Sequence, residues 1–153
     1  MVRSYLHKIF NMTTHQIDLI KSSWKMAAGD PVAVGGLFYG RLFKIAPEIE
    51  PLFSHATIAE QSVKLTSILS YMINKLDKLD DIAVQVVRLA KRNVYYGLKE
   101  EHYTAVGLAL IWTLRRALAE KWNEELQDAW LLCYNTLFSA MIEASEYASQ
   151  KVA

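Results

Sequence analysis

The chain has 153 residues, 52% of them apolar and 22% charged, with three Pro and six Gly, which suits one domain with a full core and excludes a second sizeable one. Lys and Arg number 17 against 16 Asp and Glu, so a net charge of +1 gives no electrostatic case for a polyanion and argues against nucleic acid. The single cysteine, Cys133, cannot close a disulfide within the chain, no Cys/His cluster offers a zinc site, and no apolar run nears the ~20 residues of a membrane span, so the chain reads as cytoplasmic.

Apolar residues recur at helical spacing nearly throughout and no stretch alternates strictly, which makes the fold class all-α. Residues 1–12 read as an N-terminal extension to a single domain over 13–150. In the extension Val2, Leu6, Ile9 and Phe10, with Arg3 and Lys8 beside them, fit either a helical turn on the body or an interfacial anchor. Thr13 and Gln16 have capping-box spacing and open a helix with Ile17, Ile20, Trp24 and Ala27 on one face. Asp30 before Pro31 starts a second helix, which carries Phe38, Tyr39, Leu42 and Phe43 and must end near Ala46-Pro47. A short helical turn is expected from Pro47 towards Phe53.

Thr57 and Glu60 are spaced as another capping box, ahead of the stripe Leu65, Ile68, Leu69, Met72, Ile73 and Leu76. Asp80 and Asp81 are expected to cap the next helix, whose inner face holds Ile82, Val86, Leu89 and Ala90 and which Gly97 should stop. Two long helices follow. One carries Tyr103, Val106, Leu110, Ile111 and Leu114; the other, opened by Asn123, carries Leu126, Trp130, Tyr134, Leu137 and Met141.

No GxSxG elbow, GxxxxGK[ST] loop or HExxH pair is present, so hydrolase and nucleotide readings have no motif behind them. The histidines His7, His15, His55 and His102 are scattered rather than spaced as metal ligands. Asn93 is the informative residue. Ala90, Leu89 and Val86 lie three, four and seven positions before it, so it points inward with the apolar stripe. An unsatisfied polar group in a core costs ~1–3 kcal/mol, and something polar or a bound group must meet this amide.

The segments LFYGRLFKIAPEIEPLF (37–53), EQSVKL (60–65), Arg92 through Gly107, and DAW (128–130) resemble bacterial globins, most closely single-domain bacterial haemoglobins and the haem domain of flavohaemoglobins. The resemblance runs from about Thr13 to Glu146. It implies a globin fold, a three-over-three helical sandwich, that binds haem b. On this resemblance Tyr39 matches the distal tyrosine that hydrogen-bonds a haem-bound diatomic ligand, O2 or NO, and Gln61 the polar residue beside it. Leu65 would wall the same pocket, Phe53 matches the phenylalanine against the haem plane, and Lys64 falls where a basic residue reaches a propionate. Tyr103 matches the proximal tyrosine, and Leu98 and Val106 complete the implied cofactor-binding set. The family's iron-ligating histidine falls at Asn93, in KRNVYYG (91–97), and the members with a proximal His–Tyr–carboxylate chain have Glu where this chain has Ser145. A neutral amide is a poor iron ligand beside imidazole, so the metal position has an atypical proximal side.

Other donors are weaker candidates. His102 faces about 100° away from Tyr103 on the same helix, His55 is expected to face solvent, and a Tyr103 phenolate is the remaining axial option. By themselves Tyr39 and Phe53 also fit aromatic core, while Gln61 and Lys64 fit a solvated helix start. Two readings follow: a haem-binding globin that holds a diatomic gas, or a haem-free globin acting as a sensor or interaction module, its pocket collapsed or filled by an apolar ligand. Tyr95, Tyr96 and Met72, if inward, would favour collapse. The chain is not read as an enzyme, because NO oxidation of the flavohaemoglobin kind would need electrons from a separate reductase.

Overall fold

In the computed structural model, which describes residues 11–152 and side chains through Tyr147, most helices begin where a side chain accepts from free backbone donors or where proline removes one. Thr13 Oγ1 accepts the Gln16 N–H at 3.0 Å, Gln16 Oε1 accepts the Thr13 N–H at 2.9 Å, and α1 runs Thr14–Ala27. The apolar set Val2, Leu6, Ile9 and Phe10 lies outside the described residues. Asp30 Oδ1 accepts the Ala33 N–H at 3.1 Å, Pro31 takes the first helical position, and α2 runs Pro31–Ile45. The expected turn after Ala46 is a 3₁₀ helix, Pro47–Phe53.

Helix α3, Ile58–Asn74, starts with Thr57 Oγ1 accepting the Glu60 N–H at 3.1 Å, and this is the only half of the expected capping box that forms. Helix α4, Leu79–Tyr96, departs from expectation at its start. Asp80 and Asp81 are not its cap; they lie in the first turn, behind Lys78. Leu79 is buried and therefore enters the helix, which moves the start back, and the acids meet the positive end of the dipole instead. Asn123 Oδ1 accepts the Leu126 N–H at 2.8 Å and opens the last helix. Helix α5 spans Glu100–Leu118, a second 3₁₀ turn spans Ala119–Lys121, and α6 spans Glu124–Val152. Among the described residues there is no strand, and no helix is long and apolar enough to cross a membrane.

The helices form two layers, α1, α3 and α4 over α2, α5 and α6. Between them Trp24 and Trp130 lie 6.2 Å apart, and both indole donors are satisfied: Trp24 Nε1 donates to Ser70 Oγ at 2.8 Å and Trp130 Nε1 to Ser23 Oγ at 3.0 Å. Two packing relations position the site. The first is the close crossing of α2 on α3 at Gly35, where a Cβ would sit 2.1 Å from Ser62 Cβ. One turn beyond the crossing, Tyr39 on α2 and Leu65 on α3 come to one space. The second is a separation: α4 packs on α6, and α3 packs on α2, but α3 and α4 scarcely touch each other.

Candidate functional site

The gap between α3 and α4 is a cavity of about 200 Å³ with almost wholly apolar walls. Tyr39, Phe53, Gln61, Lys64, Leu65, Asn93, Leu98, Tyr103 and Val106, the nine residues singled out in the sequence, all line it. Its size exceeds the roughly 150 Å³ at which an engineered apolar cavity admits benzene.

On one side the backbone fixes Asn93. Gly97 takes φ +89°, a left-handed conformation that costs glycine little, and stops α4 as expected; the Leu98 N–H then returns to the Asn93 carbonyl at 2.9 Å. The same turn brings Leu98 back to the cavity wall. The Asn93 side chain finds the polar partner its position demands: Nδ2 donates to the Tyr103 hydroxyl at 3.1 Å. The Tyr103 hydroxyl also pairs with Ser145 Oγ at 3.3 Å, a bond in which either hydroxyl can donate. Tyr103 is itself held, its carbonyl accepting from the Tyr134 hydroxyl and its ring edge-on to Phe138 at 5.5 Å.

Across the cavity Tyr39 is 4% exposed and sits in an aromatic group, 5.1 Å from Phe38, 5.5 Å from Phe53 and 5.8 Å from Phe43 between ring centres. Its hydroxyl has no hydrogen-bond partner among the described residues. Burial pushes the phenol up to about 12, against a smaller opposing pull from the Arg92 charge, and it stays a neutral donor at ordinary pH. Gln61 is buried rather than solvated, and its Nε2 donates to His55 Nε2 at 2.9 Å. His55 is exposed, as expected, yet engaged: its ring stacks on Tyr96 at 4.5 Å and 19°. Lys64 is exposed at the cavity rim.

Tyr95 does not turn inward; it is 85% exposed, while Tyr96 and Met72 line the cavity. His102 is buried and accepts the Lys99 N–H at 3.0 Å, a helix-start role that keeps its Nδ1 from any metal. Among the described residues no histidine lines the cavity. Cys133 does, but burial raises its thiol to about 12, and the thiolate is the ligand form. Sequence reasoning missed Cys133 and Arg92 as lining residues; the signal for Arg92 was its place directly before Asn93.

A two-layer helical sandwich with its cavity between these two helices is the arrangement of globins, and residues 36–141 match the globin family. The chain belongs to that family. It is 28% identical over 146 residues to the flavohemoprotein of Vibrio cholerae, covering 93% of this chain and 37% of that protein, so it spans little more than a third of that relative. It is 29% identical over 139 residues to an anaerobic nitrite reductase of Oryza sativa subsp. indica, covering 88% and 96% of the two. Its fold matches the bacterial globin of Campylobacter jejuni with a TM-score of 0.79 at 24% identity, over 90% of this chain and 99% of that one.

Proposed function

We propose that this chain is a haem-binding globin that receives a diatomic gas, O2 or NO, on the Tyr39–Gln61 side of its cavity, with an atypical proximal side at Asn93. The observation that carries the reading is the Tyr39 hydroxyl, which has no protein partner among the described residues and stands at a mainly apolar cavity. Such a donor is free to bond to an occupant. Volume argues the same way: at ~24 cal/mol per Å³, about 200 Å³ left without contents costs about 5 kcal/mol, the size of a small protein's whole stability.

Haem, when bound, supplies the iron that takes the gas. Phe53, Leu65, Leu98 and Val106 offer apolar contact to the macrocycle, and Lys64 at the rim offers a cation to its acidic edge. This frame fits the group; the axial donor does not, because Asn93 offers an amide already tied to Tyr103. Gas oxidation by the chain would need a separate reductase, and we assign it no enzymatic turnover of its own. Titration with haemin tests the reading: about one equivalent should be taken up, with a Soret band distinct from that of free haemin.

A second reading, a haem-free globin acting as a sensor or interaction module around an apolar ligand, is favoured by one observation. Asn93, Tyr103 and Ser145 hydrogen-bond to one another with no ligand between them. Folded protein with no saturable haemin uptake would select it.

A further inference from the structure

On the side of α2 away from the cavity, two arginines share one indole. Arg41 follows Tyr39 by two positions, about 200° around the helix, so it leaves the opposite face and meets α5, which packs on α2. Its guanidinium carbon lies 5.0 Å from the centre of the Trp112 ring, and that of Arg116, one turn after Trp112 on α5, lies 5.5 Å from the same ring. Both are cation–π distances. Arg41 and Trp112 are half-buried and Arg116 is exposed, so the cluster opens to solvent. Arg116 by itself says little, because it stands in the last turn of α5, where the helix dipole favours a cation. Arg41 is the informative residue. Among the described residues its Nε is the one buried side-chain nitrogen or oxygen without a hydrogen-bond partner. Neither guanidinium has an acid within 4.0 Å among those residues, the ion pairs there being His15–Glu125, Lys21–Asp77 and Lys75–Asp81. The fold thus gathers two like charges at one ring and leaves an N–H sealed and unpaired, and both features lower its stability. An apolar side chain at position 41 would cover the indole without either, so the pair suits an incoming anion better than it suits the fold.

We propose that Arg41 and Arg116 bind a phosphate group beside Trp112. Each guanidinium presents a planar fork of donors; a carboxylate, with two oxygens, fills one fork, whereas the tetrahedral oxygens of a phosphate can accept from both. The anion meets Arg41 at its terminal amino groups, beyond the sealed Nε, and offsets both cations. Lys44, exposed on α2 three positions after Arg41, adds positive potential on the same side. Two sources share the chemistry, free inorganic phosphate and the phosphate of a nucleotide. The site lies across α2 from the cavity and depends on no reading of the cavity's contents.

The test uses the full chain in phosphate-free buffer at constant ionic strength, titrated with sodium phosphate, AMP and adenosine and followed by tryptophan fluorescence and by calorimetry. Sodium phosphate or AMP should bind saturably, and adenosine should not. Phosphate bound as tightly as AMP, or more tightly, names the free ion as the source; AMP bound roughly tenfold or more tightly names the nucleotide. Arg41→Gln and Arg116→Gln should each weaken binding roughly tenfold, the usual size of a charge-assisted contact, and together should abolish it. Arg116 is exposed, so its variant tests the site even where Arg41→Gln lowers the melting temperature. Trp112→Phe should remove the fluorescence change and keep the calorimetric binding. No saturable binding of phosphate or AMP up to about 10 mM, adenosine bound as tightly as AMP, or an affinity unchanged in the double variant overturns the site.

Discussion

Replacing Asn93 by histidine puts opposite effects on the free and loaded forms, and both can be sized. The substitution removes the bond from Asn93 Nδ2 to the Tyr103 hydroxyl. A neutral bond of this kind contributes ~0.5–1.5 kcal/mol net. For 153 residues the unfolding entropy is about 0.32 kcal/mol/K, taking ~2.1 cal/mol/K per residue, so the free variant should melt about 2–5 °C lower. Imidazole on the inward stripe then offers haem iron the nitrogen donor that the parent cavity lacks. At a haemin concentration of about 100 Kd, linkage adds ~2.7 kcal/mol, or about 8 °C, which reverses the loss. Melting followed by far-ultraviolet circular dichroism, with and without haemin, gives both shifts, and the ferrous spectrum should become that of a histidine-ligated haem. If the haemin affinity and spectrum of Asn93→His equal those of the parent, position 93 does not face the bound group and the proximal assignment is wrong.

Imidazole added to haemin-loaded parent should shift its spectrum, and Asn93→His should abolish the shift; an undiminished titration there would assign the binding to the Tyr39 side. Tyr39→Phe should alter stability in alkali. Its phenol is raised from 10.0 to about 12 in the fold, so stability from the protonated form is complete below pH ~10 and falls by roughly 2–3 kcal/mol as pH rises to ~12. The variant should lack that part of the decline, and an unchanged pH profile would refute the burial argument. In the Asn93→His background the same variant should release O2 roughly ten- to hundredfold faster by stopped flow, and equal release would make Tyr39 core packing only. Gly35→Ala should melt about 3–9 °C lower, because its Cβ would lie 2.1 Å from Ser62 Cβ and 2.7 Å from Ser62 Cα, and overpacking costs ~1–3 kcal/mol; an unchanged melt would mean that α2 and α3 do not cross there.

Helix limits were legible because caps are local: Thr13, Asp30, Thr57, Gly97 and Asn123 each act on a backbone group within a few residues. The start of α4 was not, since burial of Leu79 is a tertiary demand that the neighbouring aspartates do not reveal. Tyr95 misled for a related reason. It adjoins Tyr96, but one residue turns a helix by about 100°, which carries its ring to solvent. The inward aim of Asn93 followed from the spacing of Val86, Leu89 and Ala90; its partners did not, because Tyr103 is reached only after the Gly97 turn and Ser145 lies on another helix. That nine particular residues share a cavity came from the globin resemblance, and periodicity alone would have left Gln61 and Lys64 on a solvated face.

On the proposed proximal assignment, Asn93 and Ser145 belong to one electrostatic argument. The Asn93–Tyr103–Ser145 chain is neutral at every member, and each hydrogen bond in it can be made with no charge in the protein interior. A carboxylate at position 145 would make sense beside an imidazole, which can share positive charge with it and gain basicity in return. Beside Asn93 the same carboxylate would be half-buried with no cation to face, and an uncompensated charge in such surroundings is more costly than a lost hydrogen bond. An amide at position 93 therefore disfavours an acid at position 145, and Ser145 bonds to Tyr103 without the charge. Placing histidine at position 93 alone thus supplies a donor nitrogen but not the partner that would raise its basicity. Asn93, Tyr103 and Ser145 are thus consistent with one another as a neutral network, and an acid at position 145 would gain a partner only together with an imidazole at 93.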